Sequence, residues 1–211
     1  MSAFEEQYLN CAVCGQRIQQ TRIVNIGSYA APDLDLRPAQ MMRSTMDLWV
    51  WECPFCKYTA RSLDDKSGID PEFLKSEEYL HCSGLDLQSA LAQQFYRLHL
   101  IRCHDQDDYG AYHAALCAAW ACDDMGDEKN AMLCRRLALT YLEKLPLQDL
   151  DSDFTYIRMD LLRRSGRFQQ LIDEYDPAAF TDEHMRKTAA FQVEKARAQD
   201  DRCYTFDFEL Y

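Results

Sequence analysis

The sequence predicts an α+β chain in which a small cysteine-bearing β head precedes a larger all-α body. Three observations carry this prediction. Two Cys-x-x-Cys turns, Cys11-Ala12-Val13-Cys14 and Cys53-Pro54-Phe55-Cys56, stand near the start. Beside them lie runs of strand composition, Arg22 to Ile26 and Asp47 to Glu52, rich in β-branched and aromatic residues. From Pro71 onward glycine is rare and apolar residues recur at helical spacing. The expected division is a head over residues 1–66, a helical body over 67–200 and a C-terminal tail over 201–211.

The turns carry the chemistry. A Cys-x-x-Cys turn holds two thiolates about one tetrahedral edge apart, and two such turns complete a four-sulfur shell. Cys11, Cys14, Cys53 and Cys56 are therefore the candidate metal ligands, and one structural Zn2+ is the natural occupant of such a zinc-ribbon or rubredoxin-like head. A catalytic zinc keeps one position for water or substrate, so this donor set assigns no catalytic residue. Iron and a redox dithiol are the alternatives. A thioredoxin-type dithiol needs only one pair, at a strand-to-helix junction.

The 38 residues between the pairs exceed the roughly 15–20 of a compact ribbon and imply an insertion. Ser28 to Pro38, with two prolines among Ser and Asp, reads as an irregular excursion over the head's surface. In the body, Pro71 suits a first helical turn, and a helix is expected from about Asp70 to Tyr79. A second runs from an Asp86 cap to Arg102, and a third spans about Tyr109 to Met125. Gly126-Asp127 makes a turn into a fourth helix with Ala131, Cys134, Leu137, Ala138, Tyr141 and Leu142 on its inner face, ending before Pro146. A second hairpin is expected from Phe154 to Tyr175 around Ser165-Gly166-Arg167, and a last helix from a Thr181 cap to about Gln199. The two turn glycines lie 40 residues apart. Paired helices of this kind stack as solenoids, with a groove suited to a partner peptide. The tail alternates aromatic and acidic residues, and is expected to pack back on the body. The alternative is a linear motif read by strand addition.

Charge restricts the partners. Residues 1–62 carry six Lys/Arg and six Asp/Glu, so the formal charge of −12 lies in the body. Such a surface repels phosphate backbones. Only Arg17, Arg22, Arg37, Arg43, Lys57 and Arg61 are available for a basic patch on the head, which leaves a nucleic-acid-associated zinc-ribbon regulator as the second functional reading. No apolar run approaches the roughly 18 residues of a membrane span. The sequence opens without a signal-like segment, so a cytoplasmic location, where thiols stay reduced, is expected.

The knuckles, the aromatic run Leu48 to Trp51 and the hairpins at Gly126 and Gly166 together resemble a bacterial family catalogued as domain of unknown function 2225. That resemblance implies metal binding and tetratricopeptide-like helices forming an interaction surface, with no assigned reaction. Arg135 departs from it, standing where such a repeat usually has an aromatic residue.

Other clusters admit structural readings beside functional ones. His81-Cys82, His99 with Cys103 and His104, and His113 with Cys117 include two i,i+4 pairs that suit a second metal or a Cys-His nucleophile. Cysteine and histidine also occupy helix interiors in purely structural roles. Asp64-Asp65, Asp105 to Asp108 and Asp123-Asp124 lack the glycine and terminal glutamate of a Ca-binding loop and read as solvated helix ends. Trp49, Trp51, Phe55 and Tyr58 are expected to pack the head on the body, with base stacking as the alternative. The function expected is a non-enzymatic adaptor engaging a protein partner through the helical groove or the tail. An enzyme using His99, Cys103, His104, His113 and Cys117 is the third reading.

Overall fold

A computed structural model of the chain describes residues 3–82, 84–146 and 152–207. It opens with an antiparallel hairpin, β1 (Ala3–Asn10) and β2 (Arg17–Asn25), whose turn carries the first knuckle. The expected strand at Arg22 begins earlier, at Arg17, and its partner β1 has no buried residue along its length. Ile18 and Gln20 are buried while their neighbours Gln19 and Thr21 face outward or half outward, the two-residue alternation of a half-covered sheet.

The insertion runs over the surface only at its start, where Ser28 to Ala30 are exposed, and then turns inward. Asp33, Leu34, Asp35 and Arg37 are all buried. Of the expected strand at Asp47 to Glu52, Asp47 and Leu48 end a 3-10 turn, Arg43–Leu48, and only Trp51–Glu52 (β3) pairs with Thr59–Ala60 (β4). Local hydrogen bonding explains this. The Thr45 hydroxyl donates to the Met42 carbonyl at 2.8 Å and accepts the Trp49 indole N–H at 3.1 Å, which favours a helical turn over an extended chain.

The body contains α1 (Glu77–Leu80), α2 (Ala90–His104), α3 (Asp108–Asp124), α4 (Glu128–Leu142), α5 (Ser152–Arg164), α6 (Phe168–Glu174) and α7 (Glu183–Arg197). The expected first helix is broken into a 3-10 turn, Phe73–Lys75, and α1 because Ser76 is extended and caps Tyr79 N–H. Ser89, not Asp86, caps α2, and Asp182, not Thr181, caps α7. The helical hairpins form around Gly126 and Gly166, with φ of 70° and 78°. The same left-handed stop recurs at Gln106 and Gln199, with φ of 58° and 54°. There the Asp107 and Asp200 amides reach back to the carbonyls of Arg102 and Lys195, each at 2.9 Å, completing a Schellman-type end.

α3 lies between α2 and α4 and is buried nearly all round from Ala111 to Cys122. Its five buried alanines after Tyr112 permit the close approach of both neighbours. The main core joins these helices to α5 and α7, and takes Met46 and Val50 from the head. A second core gathers Cys11, Cys53, Tyr58 and Leu63 with Tyr79 and Ile101 from the body. Residues 201–207 dock on the insertion, with Leu34 N–H donating to the Tyr204 carbonyl at 2.9 Å and Phe206 N–H to Pro32 at 3.0 Å. The rest of the expected tail, residues 208–211, lies outside the described residues. Among the described residues no helix is long and apolar enough to cross a membrane.

Candidate metal centre

The two knuckles have the same local construction. In the first, Gly15 N–H donates to the Cys11 carbonyl at 2.8 Å and Cys11 N–H to Gln16 at 2.9 Å. In the second, Lys57 N–H donates to Cys53 at 2.9 Å and Cys53 N–H to Tyr58 at 2.8 Å. Both turns need a left-handed residue after the second cysteine. Gly15 adopts φ 71° there without cost, whereas Lys57 adopts 66° with a side chain attached.

These turns bring together all four sequence-predicted ligands. The Sγ atoms of Cys11, Cys14, Cys53 and Cys56 lie within 4.8 Å of one another. Cys11 to Cys56 and Cys14 to Cys53 are each 3.7 Å apart. A tetrahedral ion with sulfur at about 2.3 Å has sulfur–sulfur edges of about 3.8 Å, so the cluster has the dimensions of a metal centre. Burial raises the Cys53 and Cys56 thiols above their ordinary range. Burial also acts to raise Cys14, but the backbone hydrogen bond from Gln16 and contacts from Cys56, Cys53 and Cys11 together outweigh it and bring this thiol below that range. Four thiolates so close require a cation to hold their charge.

Supporting groups come from both the head and the helical body, and Tyr79 and Arg97 carry no signal in the sequence for this role. The buried Tyr79 hydroxyl, on α1, donates to the Lys57 carbonyl at 2.8 Å and lies 2.9 Å from Thr59 Oγ1. Tyr58 donates to the Asp65 carbonyl at 2.8 Å. Arg97 on α2 pairs with Glu52 on β3 and also donates to the carbonyls of Tyr79 and Leu80. Ala12 N–H donates to Leu63 at 2.8 Å, so the first knuckle is tied to the segment after the second. Trp49 and Trp51 are half-buried and Tyr58 buried, as packing requires, but Phe55 at the second knuckle is 63% exposed.

The His/Cys pairs have other surroundings. His99 donates from Nδ1 to the Ala111 carbonyl at 2.8 Å, with Cys103 Sγ 3.5 Å from Nε2. His113 accepts at Nδ1 from Arg61 at 2.8 Å, with Cys117 Sγ at 3.5 Å. Burial lowers both imidazoles, His113 to about 4, and raises both thiols, Cys117 to about 12. Both pairs are thus neutral near pH 7, without a thiolate–imidazolium couple. His104 lies 3.8 Å from Asp105, and exposed His81 faces Glu77 while Cys82 is buried. Among the described residues these side chains do not converge on a second ligand group.

The acidic runs at helix ends are not all solvated. Asp107 and Asp127 cap α3 and α4, and Asp105 accepts from Ser67 and Gly68. Asp123 takes a two-pronged contact from Arg135, and Asp124 pairs with the insertion's buried Arg37. Other head cations are likewise engaged. Arg43 meets Asp33 at 2.7 Å, Lys57 meets Glu52 at 3.1 Å, and Arg17 lies over the Tyr8 ring. Comparison of the chain with protein-family models, with curated proteins and with solved structures finds no match.

Proposed function

We propose that Cys11, Cys14, Cys53 and Cys56 hold one structural zinc ion, and that the chain is a non-enzymatic adaptor. Its zinc-ribbon head is fixed to an acidic, tetratricopeptide-like helical surface that engages another protein, as the resemblance to domain of unknown function 2225 implies. The observation that carries the zinc reading is the 3.7 Å sulfur spacing in a shell of four thiolates. Zinc bound there supplies a crosslink between the two knuckles. The residues around it serve that crosslink: Tyr79 fixes the second knuckle and Arg97 ties β3 to α2. The adaptor reading is supported by the acidic excess of the body and by the exposed Tyr109 and Met125 on the helical surface.

Crosslinking of the zinc-loaded chain in its native host tests the adaptor reading. A recurrent protein partner is expected, with crosslinks mapping to the helical body and reduced by Tyr109→Ser together with Met125→Ser. Failure to recover any recurrent partner would count against it.

A further inference from the structure

A cleft of about 880 Å³ separates the head hairpin from α2 and α3, within the size range of small-molecule sites. Its walls differ in character. Leu36, Trp49, Phe95 and Leu98 present an apolar side, while Arg22 and Arg61 lie on the head side. His113, on α3, also lines it and holds the Arg61 guanidinium at 2.8 Å.

The charge state of this pair matters. His113 is half-buried and receives the Arg61 N–H at a ring nitrogen, so it is a neutral acceptor that orients the guanidinium without cancelling its charge. Among the described residues no carboxylate pairs with Arg22 or Arg61. The aspartates on the same cleft are engaged elsewhere: Asp64 with the Ser62 hydroxyl, and Asp65 with Ser62 N–H at 3.3 Å and Arg102 at 3.9 Å. Arg22 stands opposite Glu5 across the β1–β2 hairpin, whereas Arg61, held by a neutral imidazole beside an aromatic wall, forms a recognition feature in a chain of formal charge −12.

We infer that this cleft binds a small amphipathic anion, its carboxylate, phosphate or sulfonate at Arg61 and its apolar part against Leu36, Trp49 and Phe95. Arg22 adds a second positive charge to the same cavity. The inference is independent of the adaptor reading. It requires only the cleft, its apolar wall and Arg61.

The probe is 8-anilinonaphthalene-1-sulfonate, an aromatic anion, added to the zinc-loaded full chain and followed by energy transfer from tryptophan, two of whose three copies line the cleft. The expected result is saturable binding at one site per chain, weakened about tenfold by Arg61→Gln, as loss of a charge-assisted contact implies. Arg22→Gln should weaken it less. The neutral analogue N-phenyl-1-naphthylamine should bind wild type and Arg61→Gln alike. Arg61 and Arg22 are both exposed, so their replacement preserves the fold, as unchanged helicity and zinc content will verify. Inorganic phosphate that displaces the probe identifies phosphate as a sufficient head group, and acetate does the same for a carboxylate. Non-saturable binding, or equal affinity of the sulfonate for wild type and Arg61→Gln, overturns the inference.

Discussion

The Trp120 indole N–H donates to the buried carboxylate of Asp35 at 2.7 Å, joining the insertion of the head to the middle of α3 across 85 positions of sequence. Arg135 and Arg164 lie 3.8 Å and 3.6 Å from the same carboxylate oxygen, and both also meet Asp123. An acid from the insertion, an acid from the end of α3 and arginines from α4 and α5 thus share one enclosed site. Arg135, which breaks the aromatic pattern of the resembled repeat, is the centre of this arrangement.

Removing that centre should be costly. Arg135→Leu leaves Asp123 and Asp35 with less compensation in a buried setting, and breaking buried pairs of this kind destabilises by about 3–5 kcal/mol. Equilibrium unfolding in urea checks this. A loss below about 1 kcal/mol would show that the network contributes little.

The same site sets a pH dependence. Burial acts to raise the Asp123 carboxyl, but its contacts with Arg135 and Arg164 outweigh this and hold it below its ordinary value. A depressed folded pKa contributes stability above the unfolded value of about 3.9 and loses it as pH falls through the folded value. Asp123→Asn should therefore melt below wild type at pH 7, with the difference closing as pH falls below about 4. Metal loss in acid affects both proteins alike and cancels from the comparison. A difference that stays constant from neutral to acid pH would contradict the assignment.

Tyr79 couples α1 to the second knuckle. Tyr79→Phe removes the donor to the Lys57 carbonyl, costing about 1–2 kcal/mol, and should speed metal transfer to a chelator. Unchanged chelation kinetics would mean that the hydroxyl does not steady the knuckle.

Gln106 pays for a left-handed backbone that glycine adopts freely. Gln106→Gly should stabilise the chain by about 0.5–1 kcal/mol, since relief of roughly 1–2 kcal/mol of backbone strain is partly offset by the greater freedom of glycine in the unfolded chain. A lower thermal midpoint would show that the Gln106 side chain makes a compensating contact.

Sequence legibility followed how locally each feature is encoded. The knuckles were readable because two residues of spacing fix both sulfurs, and Gly126 and Gly166 because glycine marks a positive φ. The equivalent stops at Gln106 and Gln199 were not readable, since neither residue announces that conformation. β1 is not legible because Phe4-Glu5-Glu6-Gln7-Tyr8 buries no side chain, so no alternation of apolar and polar residues marks it. The inward turn of the insertion is not legible because Asp33, Asp35 and Arg37 are polar, and the partners that permit burial of Asp35 and Arg37 lie on α3, α4 and α5, far along the chain. Asp86 and Thr181 lost the capping positions to Ser89 and Asp182, a choice that depends on where each helix meets its neighbours.

Elemental mass spectrometry of the native full-length chain and of Cys53→Ser tests the four-cysteine zinc assignment most directly. One zinc per wild-type chain is expected, with the ion lost from Cys53→Ser while much of the body's helicity remains. Iron in place of zinc, no metal in the wild type, or full retention of zinc by Cys53→Ser would contradict it.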